Sequence, residues 1–482
     1  MQAGLGFDRK LYVGSPIIHL PTKLQQLWHS LPTGSKAYLA GGCVRDALLG
    51  HPVHDYDVEI YGIPMESLLN HLNRHGRTDT VGKSFGVIKW SPCPGETYDI
   101  ALPRQEIKTK AGHRGFSVHA DPHLSLETAC ARRDYTINAM LYCPLEHQLI
   151  DLYGGQKDLE KRLLRHTSVA FVEDPLRVMR GMQMAGRFGL SPHPETVSLC
   201  RSMHSSFTSL PKERLWEEWK KWATQSTHPS MGLSFLSETG WLSHHSSLNQ
   251  MIGIPQDPQW HPEGDVWEHT LLVCDAVVGA KSWQDGLSCE DRLTIMMACL
   301  LHDTGKVTTT KAIIKDGLQR IVSPGHAQVS SRLSEVFLDQ IGAPLWLTQR
   351  VRPLVQEHMM HLQQPTERAV RRLSKRLEPE SIKHLCCLML ADARGRGQAS
   401  QANPSHVTAL RKTAEKLEVT HGAPKPLLQG KQLLSMGYPP GKEMGRLLTK
   451  VYDQQIEQGW SQRQSAEAWL LKAYPPPKEV SS

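Results

Sequence analysis

Two aspartates at spacing i, i+2, Asp55 and Asp57, follow a Gly41–Gly42 turn in the run AGGCVRDALLGHPVHDYDVEIYG. In an extended chain that spacing puts both carboxylates on one face. Glycines at a strand-to-helix turn let the backbone approach a phosphate, and a helix start offers free N–H groups to it. Carboxylates beside such a cradle suit Mg²⁺ bound through oxygen and shared with substrate phosphates. Two such ions can activate an attacking hydroxyl and steady a pyrophosphate leaving group. Asp99, in YDIALPR, is a candidate third carboxylate.

A second group lies in ARRDYTINAM and FVEDPLRVMRGM. Read as a helix with Pro175 in its first turn, the latter places Asp174, Arg177 and Arg180 on one face. The plain reading is a solvated acid–base pair. The sharper one is a protein template for bases. A carboxylate accepts from the exocyclic amine of C or A while a guanidinium donates to the adjacent ring atom, a match U and G lack.

The third group recurs along WEHTLLVCDA, CLLHDTGK, SPGHAQ, VQEHMM and LMLADARGRG. His269, His302, Asp303 and Asp392 fall there in the order H, HD, D. Imidazoles mixed with carboxylates suit Mn²⁺, Ni²⁺ or Co²⁺ as well as Mg²⁺. A metal so held can activate water against a phosphoester. His326 and His358 either extend the site to a second metal or grip substrate phosphate. Lys306 either faces that phosphate or is solvated.

The elements needed to position these groups read as α+β. A leader, residues 1–36, carries a short helix from Lys23 to Ser30. A small mixed α/β head, 37–152, has strands at Tyr38–Ala40, Tyr56–Tyr61, Gly86–Trp90 and Thr97–Leu102, with a helix at Met65–His75. A polar Glu106–Leu126 stretch reads as a long loop. An all-helical neck, 153–259, precedes a His-punctuated helical domain, 260–398, and a helical tail, 399–482. Ten cysteines without a CxxC pair argue against a disulfide scaffold and for a reducing cytoplasm. The 55 Lys+Arg against 48 Asp+Glu permit a polyanionic partner without requiring one. No window is long and apolar enough for a membrane span, so no membrane partner is expected.

GGCVRDALLG followed by HDYD resembles the signature of the class II tRNA nucleotidyltransferase and bacterial poly(A) polymerase superfamily. The resemblance implies that Asp55 and Asp57 hold Mg²⁺, that Gly42 and Arg45 bind the triphosphate of ATP or CTP, and that Arg133 of the RRD string binds nucleotide. Asp46 and Asn138 are read as braces. Glu173, Asp174 and Arg177 match the family's EDxxR template motif. At 183 this chain has Gln where relatives often carry a further arginine. PKERLWEEWKKW resembles the neck-helix motif, in which Glu213 and Arg214 act as buttresses. HDTGK is similar to the HD-superfamily phosphohydrolase string. Together these imply a CCA-adding enzyme that extends the tRNA 3′ end from CTP and ATP, with a fused HD domain cleaning 2′,3′-cyclic or phosphomonoester ends in RNA repair. The same motifs leave open a poly(A) polymerase or an enzyme adding only CC or only A. From a different class, an HD phosphohydrolase with a non-catalytic RNA-binding head also remains. Oligomeric state is not legible.

Overall fold

The structure is a computed structural model that describes residues 18–80, 87–108, 116–284, 286–360, 365–397 and 404–477. The chain divides into two compact units, residues 1–222 with 231–242, and residues 223–230 with 243–482.

The first unit holds a seven-stranded mixed sheet. Its strands are β1 (Lys36–Ala40), β2 (Asp57–Tyr61), β3 (Arg77–Thr80), β4 (Val87–Cys93) and β5 (Glu96–Ala101). After a separate hairpin of β6 (Arg104–Lys108) and β7 (Phe116–Ala120), it is completed by β8 (Leu141–Cys143) and β9 (Gln148–Ile150). The strand order is β3-β4-β5-β2-β1-β8-β9. β2 runs parallel to β5 in a register that sets Asp57 beside Asp99. The helices Thr22–Ser30 and Met65–His75 arise where expected. Each buries a leucine stripe, Leu24 and Leu27 in one and Leu68 and Leu72 in the other.

Two expectations need correction. The polar Glu106–Leu126 stretch is not all loop, because β6 and β7 pair antiparallel from Arg104↔Ala120 to Lys108↔Phe116. Only the tip, 109–115, lies outside the described residues. The neck is also not purely helical: β10 (Leu163–Leu164) pairs parallel with β11 (Ser191–Pro192). The neck helices Leu176–Phe188, Lys212–Gln225 and Pro229–Glu238 otherwise follow the periodicity.

The second unit is a helical assembly with one unexpected hairpin, β12 (Lys311–Lys315) and β13 (Leu318–Val322). Its turn is Asp316–Gly317, both at positive φ. An Asp-Gly pair between two extended runs is a strong hairpin signal, and it was legible in the sequence. The helix Val266–Val278 starts with a complete Asp265/Glu268 capping box. It crosses the helix Ile382–Gly395 so closely that a Cβ on Gly395 would lie 2.5 Å from Val273. Among the described residues, no helix is long and apolar enough to cross a membrane. Expectations that fall on residues 1–17, 398–403 and 478–482 lie outside the described residues.

Candidate functional site

In the first unit the turn after β1 is built on Gly41, at φ +74° and ψ −126°. A Cβ there would sit 2.9 Å from Arg133 Nη1, whereas one on Gly42 would meet only Arg45 at 3.5 Å. The glycine this turn requires is therefore Gly41, and Gly42 merely opens the short helix Gly42–Leu48. Arg133 is no solvated surface charge. It donates to Glu59 at 2.6 Å and to the Asn138 carbonyl at 3.3 Å, and Arg132 reaches the same Glu59 oxygen at 3.3 Å. Glu59 is buried and was missed, although its place two residues after Asp57 puts it on the same face of β2.

Asp57 opens β2, and Asp55 precedes that strand. The Asp57 side chain is exposed, yet the protein atoms crowding its base partly desolvate it and push the carboxyl up. Arg133 pulls it down, while Asp99, Asp55 and Glu59 push it further up. This clustering of acids around one guanidinium is the electrostatic setting a divalent cation relieves. Even so, the ligand oxygens of Asp55, Asp57 and Asp99 do not close into a set of three within 4.8 Å.

Arg45 is buried rather than directed at an open cradle. It donates to Asp46 at 2.8 Å and to Asn138 at 2.6 Å, with its guanidinium over the Phe188 ring at 4.4 Å. Asn138 in turn donates to Asp134, which takes an ion pair from Arg180 at 2.9 Å. Burial alone would raise the Asp134 carboxyl, but Arg180, Asn138 and the Tyr135 amide hold it below the ordinary value.

Asp174 and Arg177 do not share a helical face. Asp174 sits extended at φ −123°, ψ 103°, and the helix starts at Leu176. The reason is Pro175, whose ring disfavours helical geometry in the residue before it. Asp174 accepts from the Leu176 amide at 3.1 Å and from Arg214 at 2.8 Å. The buried Arg177 donates to the carbonyls of Ala170 and Arg132, both at 2.6 Å. The plain reading of a solvated Asp174–Arg177 pair fails, since each has a different partner. Gln183 is buried, and its Nε2 has no hydrogen-bond partner.

The second unit brings the H, HD, D residues into one buried cluster. His269 Nε2 lies 3.1 Å from Asp392 and 3.7 Å from Asp303 Oδ2, and His302 Nε2 lies 3.1 Å from that same oxygen. The other Asp303 oxygen, Oδ1, faces His326 at 3.3 Å and His358 at 3.8 Å. Each imidazole is oriented from behind. Nδ1 of His302, His326 and His358 lies 2.7–2.8 Å from the carbonyls of Cys299, Ser323 and Val355, and His269 Nδ1 lies 2.7 Å from Glu263. A donor Nδ1–H in each case leaves the Nε2 lone pair pointing inward, as metal ligation requires.

Three inward atoms, His269 Nε2, His302 Nε2 and Asp303 Oδ1, are buried without a hydrogen-bond partner. Orphaned acceptors that converge in this way fit a divalent cation. Burial would raise Asp303, but His302 and Lys306 hold it well below the carboxylate range. Burial pushes His358 down to about 3, and His302 adds to that. Lys306 is buried and not solvated: Nζ contacts Asp303 at 2.8 Å and Gln256 at 2.7 Å. The Gly of HDTGK is sterically required, because a Cβ on Gly305 would lie 2.3 Å from the His326 carbonyl. The cluster opens on a cleft of about 310 Å³, lined in part by Asp303, Lys306, His326, His358 and Arg396. Glu263 and His261 were missed. Their signal was their place in HPEGD, a few residues before His269.

Comparison with known proteins matches a family model to each of the two regions. Residues 37–165 match the poly A polymerase head domain and residues 266–396 the HD domain. A multifunctional CCA protein of Aromatoleum aromaticum is 37% identical over 327 residues, covering 67% of this chain and 74% of that protein. One from Xylella fastidiosa is 37% identical over 383 residues, covering 76% and 86%. The crystal structure of the Bacillus stearothermophilus CCA-adding enzyme in complex with CTP shares the fold at TM-score 0.61 and 19% identity, covering 94% of this chain and 98% of that one. The Thermotoga maritima CCA-adding enzyme complexed with tRNA does so at TM-score 0.57 and 18% identity, covering 94% and 96%. This chain belongs to the multifunctional CCA protein family, the CCA-adding tRNA nucleotidyltransferases whose poly(A) polymerase-type head is joined to an HD domain.

Proposed function

We propose that the first unit adds C, C and A to the tRNA 3′ end from CTP and ATP with release of pyrophosphate, and that the second hydrolyses phosphoesters at RNA or nucleotide ends. The observation that carries the first part is Asp57 beside Asp99 in parallel register, next to the Gly41 turn and Arg133. Relatives of the same fold were crystallised with CTP and with tRNA, which supports those partners here. Asp55 and Asp57 would hold Mg²⁺ in the head, with Asp99 completing the set. His269, His302, Asp303 and Asp392 would hold the HD metal, one of Mg²⁺, Mn²⁺, Ni²⁺ or Co²⁺. When bound, these ions supply Lewis-acid activation of the attacking oxygen and neutralise charge on phosphorus.

The chain's own residues do the rest. Gly41 allows the backbone close to a triphosphate, and Gly42 lies next to it. Arg133, anchored by Glu59, offers charge beside Asp57. Arg45 and Arg180 reach the nucleotide by exchanging their carboxylate partners Asp46 and Asp134, or else act by bracing the turn and the neck. Asp174 and Arg177 form the base template once a base replaces Arg214 and a backbone carbonyl as their partners. In the second unit, Lys306 and Arg396 meet the phosphate. His326 and His358, whose Nε2 atoms face Asp303 Oδ1, would hold a second cation together with Asp303, or else grip the substrate phosphate.

The test is extension at single-nucleotide resolution of tRNAs ending before CCA, after C and after CC, with CTP and ATP alone and together. Three additions in the order C, C, A are expected. Long A tails would make it a poly(A) polymerase, and a halt at CC or a start only from CC a partial enzyme.

A further inference from the structure

The cleft over the HD cluster has a mixed lining. Beside the ligand-type residues it carries two cations, Lys306 and Arg396, and four apolar side chains, Trp260, Ile321, Val322 and Met359. Trp260 is 58% exposed, among the most exposed large apolar side chains of the described residues, and Met359 is 39% exposed. Exposure of a tryptophan at a cleft mouth costs water contact with apolar surface, so an occupant is the natural reason for it.

The turn that carries Trp260 is laced in place. Buried Asp257 accepts from the Gln259 amide at 3.1 Å, from the Ile321 amide at 3.2 Å and from Arg320 at 2.8 Å. The Asp257 carbonyl takes the amides of Trp260 at 3.0 Å and His261 at 2.9 Å. The backbone that carries the indole is thus tied to β13 beside the cleft before anything binds, and a prepositioned backbone lowers the cost of ordering the ring on stacking. A bare phosphate would use only the cations of that lining. An occupant that also uses the apolar side chains joins an anion to a flat apolar ring.

We infer that Trp260 is the platform on which the nucleobase of a nucleoside phosphoester stacks while its phosphate enters the HD cluster. This deepens the phosphohydrolase reading above and rests on it. The substrate class is a terminal nucleoside bearing a 2′,3′-cyclic phosphate or a phosphomonoester, either free or at the end of an RNA. Base–aromatic stacking tolerates any base, so the site selects for a base without reading which one.

The full-length chain, metal-loaded, is assayed on adenosine 2′,3′-cyclic monophosphate and on the matched baseless ester, 1-O-methylribose 2′,3′-cyclic phosphate. Stacking is worth about 1–3 kcal/mol per base, so Trp260→Ala should raise KM for the nucleotide by roughly five- to 150-fold with kcat nearly unchanged. The baseless ester should show no change, and Trp260→Phe should restore most of the loss. Equal effects on both esters, or no effect on either, would overturn the inference. If the wild-type chain hydrolyses neither ester, the phosphohydrolase reading itself fails. If it hydrolyses both without preference for the base, only the role of Trp260 fails. An RNA oligomer with a 2′,3′-cyclic end forms a further arm. A matching loss there identifies the RNA terminus as the source, and a loss confined to the mononucleotide identifies the free nucleotide.

Discussion

The two sites of this chain hold acids in opposite ways. In the head, Asp57 and Asp99 open onto solvent from neighbouring parallel strands, with Asp55 ahead of them, and their oxygens do not close into a ready-made set. In the second unit, six ligand-type side chains converge in the interior, and each imidazole is held by a partner behind it. An open acid pair suits a hard ion that keeps its waters and arrives with substrate phosphates. A buried nitrogen-and-oxygen set suits a resident transition metal. One chain thus carries an open acid pair and a prepacked cluster of imidazoles and carboxylates.

The largest expected effect tests whether the sites are separate. Asp57→Ala should lower nucleotide addition at least about a hundredfold, the scale seen when one transition-state stabiliser is lost. It should leave phosphoester hydrolysis intact. Asp303→Asn should do the reverse. Paired extension and hydrolysis assays on both variants decide it, and loss of both activities in either variant would break the contrast.

Acid should then distinguish the units. Burial holds His245 at about 4, below its ordinary 6.5. Between those values the unfolded chain binds the proton and the folded chain does not. Stability from this group is therefore full above about pH 6.5 and falls as pH drops toward 4, by about 3 kcal/mol in total. In the first unit, Asp134 is depressed below 3.8, so its contribution is lost only at still lower pH. Melting curves from pH 7 to 4 should show the second unit losing stability over that window, and His245→Leu should flatten that slope.

Chelation sharpens the comparison further. A resident metal at a hundred times its Kd stabilises by about 2.7 kcal/mol. Removing divalent ions should lower the melting temperature of the second unit and leave that of the first nearly unchanged. Equal shifts in calorimetry would show that the head is as preassembled as the HD cluster.

The smallest effect concerns the neck. The exposed Arg214–Asp174 pair is worth less than about 1 kcal/mol of stability. Arg214→Ala should barely move the melting temperature, yet it should alter the ratio of C to A incorporation by freeing Asp174. Competition between CTP and ATP on one tRNA measures that ratio.

What was readable in the sequence was chemistry carried by short spacings. Asp55 and Asp57, the HD string and the capped, striped helices depend on neighbours two to four residues away, and local geometry fixes those relations. The Asp316–Gly317 hairpin was equally local and was passed over. Tertiary structure decided which partner each charge takes. Asp99 lies beside Asp57 because β5 runs parallel to β2, and Arg133, in the turn after a short helix, is pinned by Glu59 of β2. Arg177 turns to backbone carbonyls and Asp174 to Arg214, although spacing put Asp174 and Arg177 together. His326 approaches the HD string where a Cβ on Gly305 would collide with its carbonyl, and His269 meets Asp392 where a Cβ on Gly395 would collide with Val273. A charge pairs with whatever the packed chain brings within a few ångströms, and that distance is set by burial of apolar surface far along the sequence.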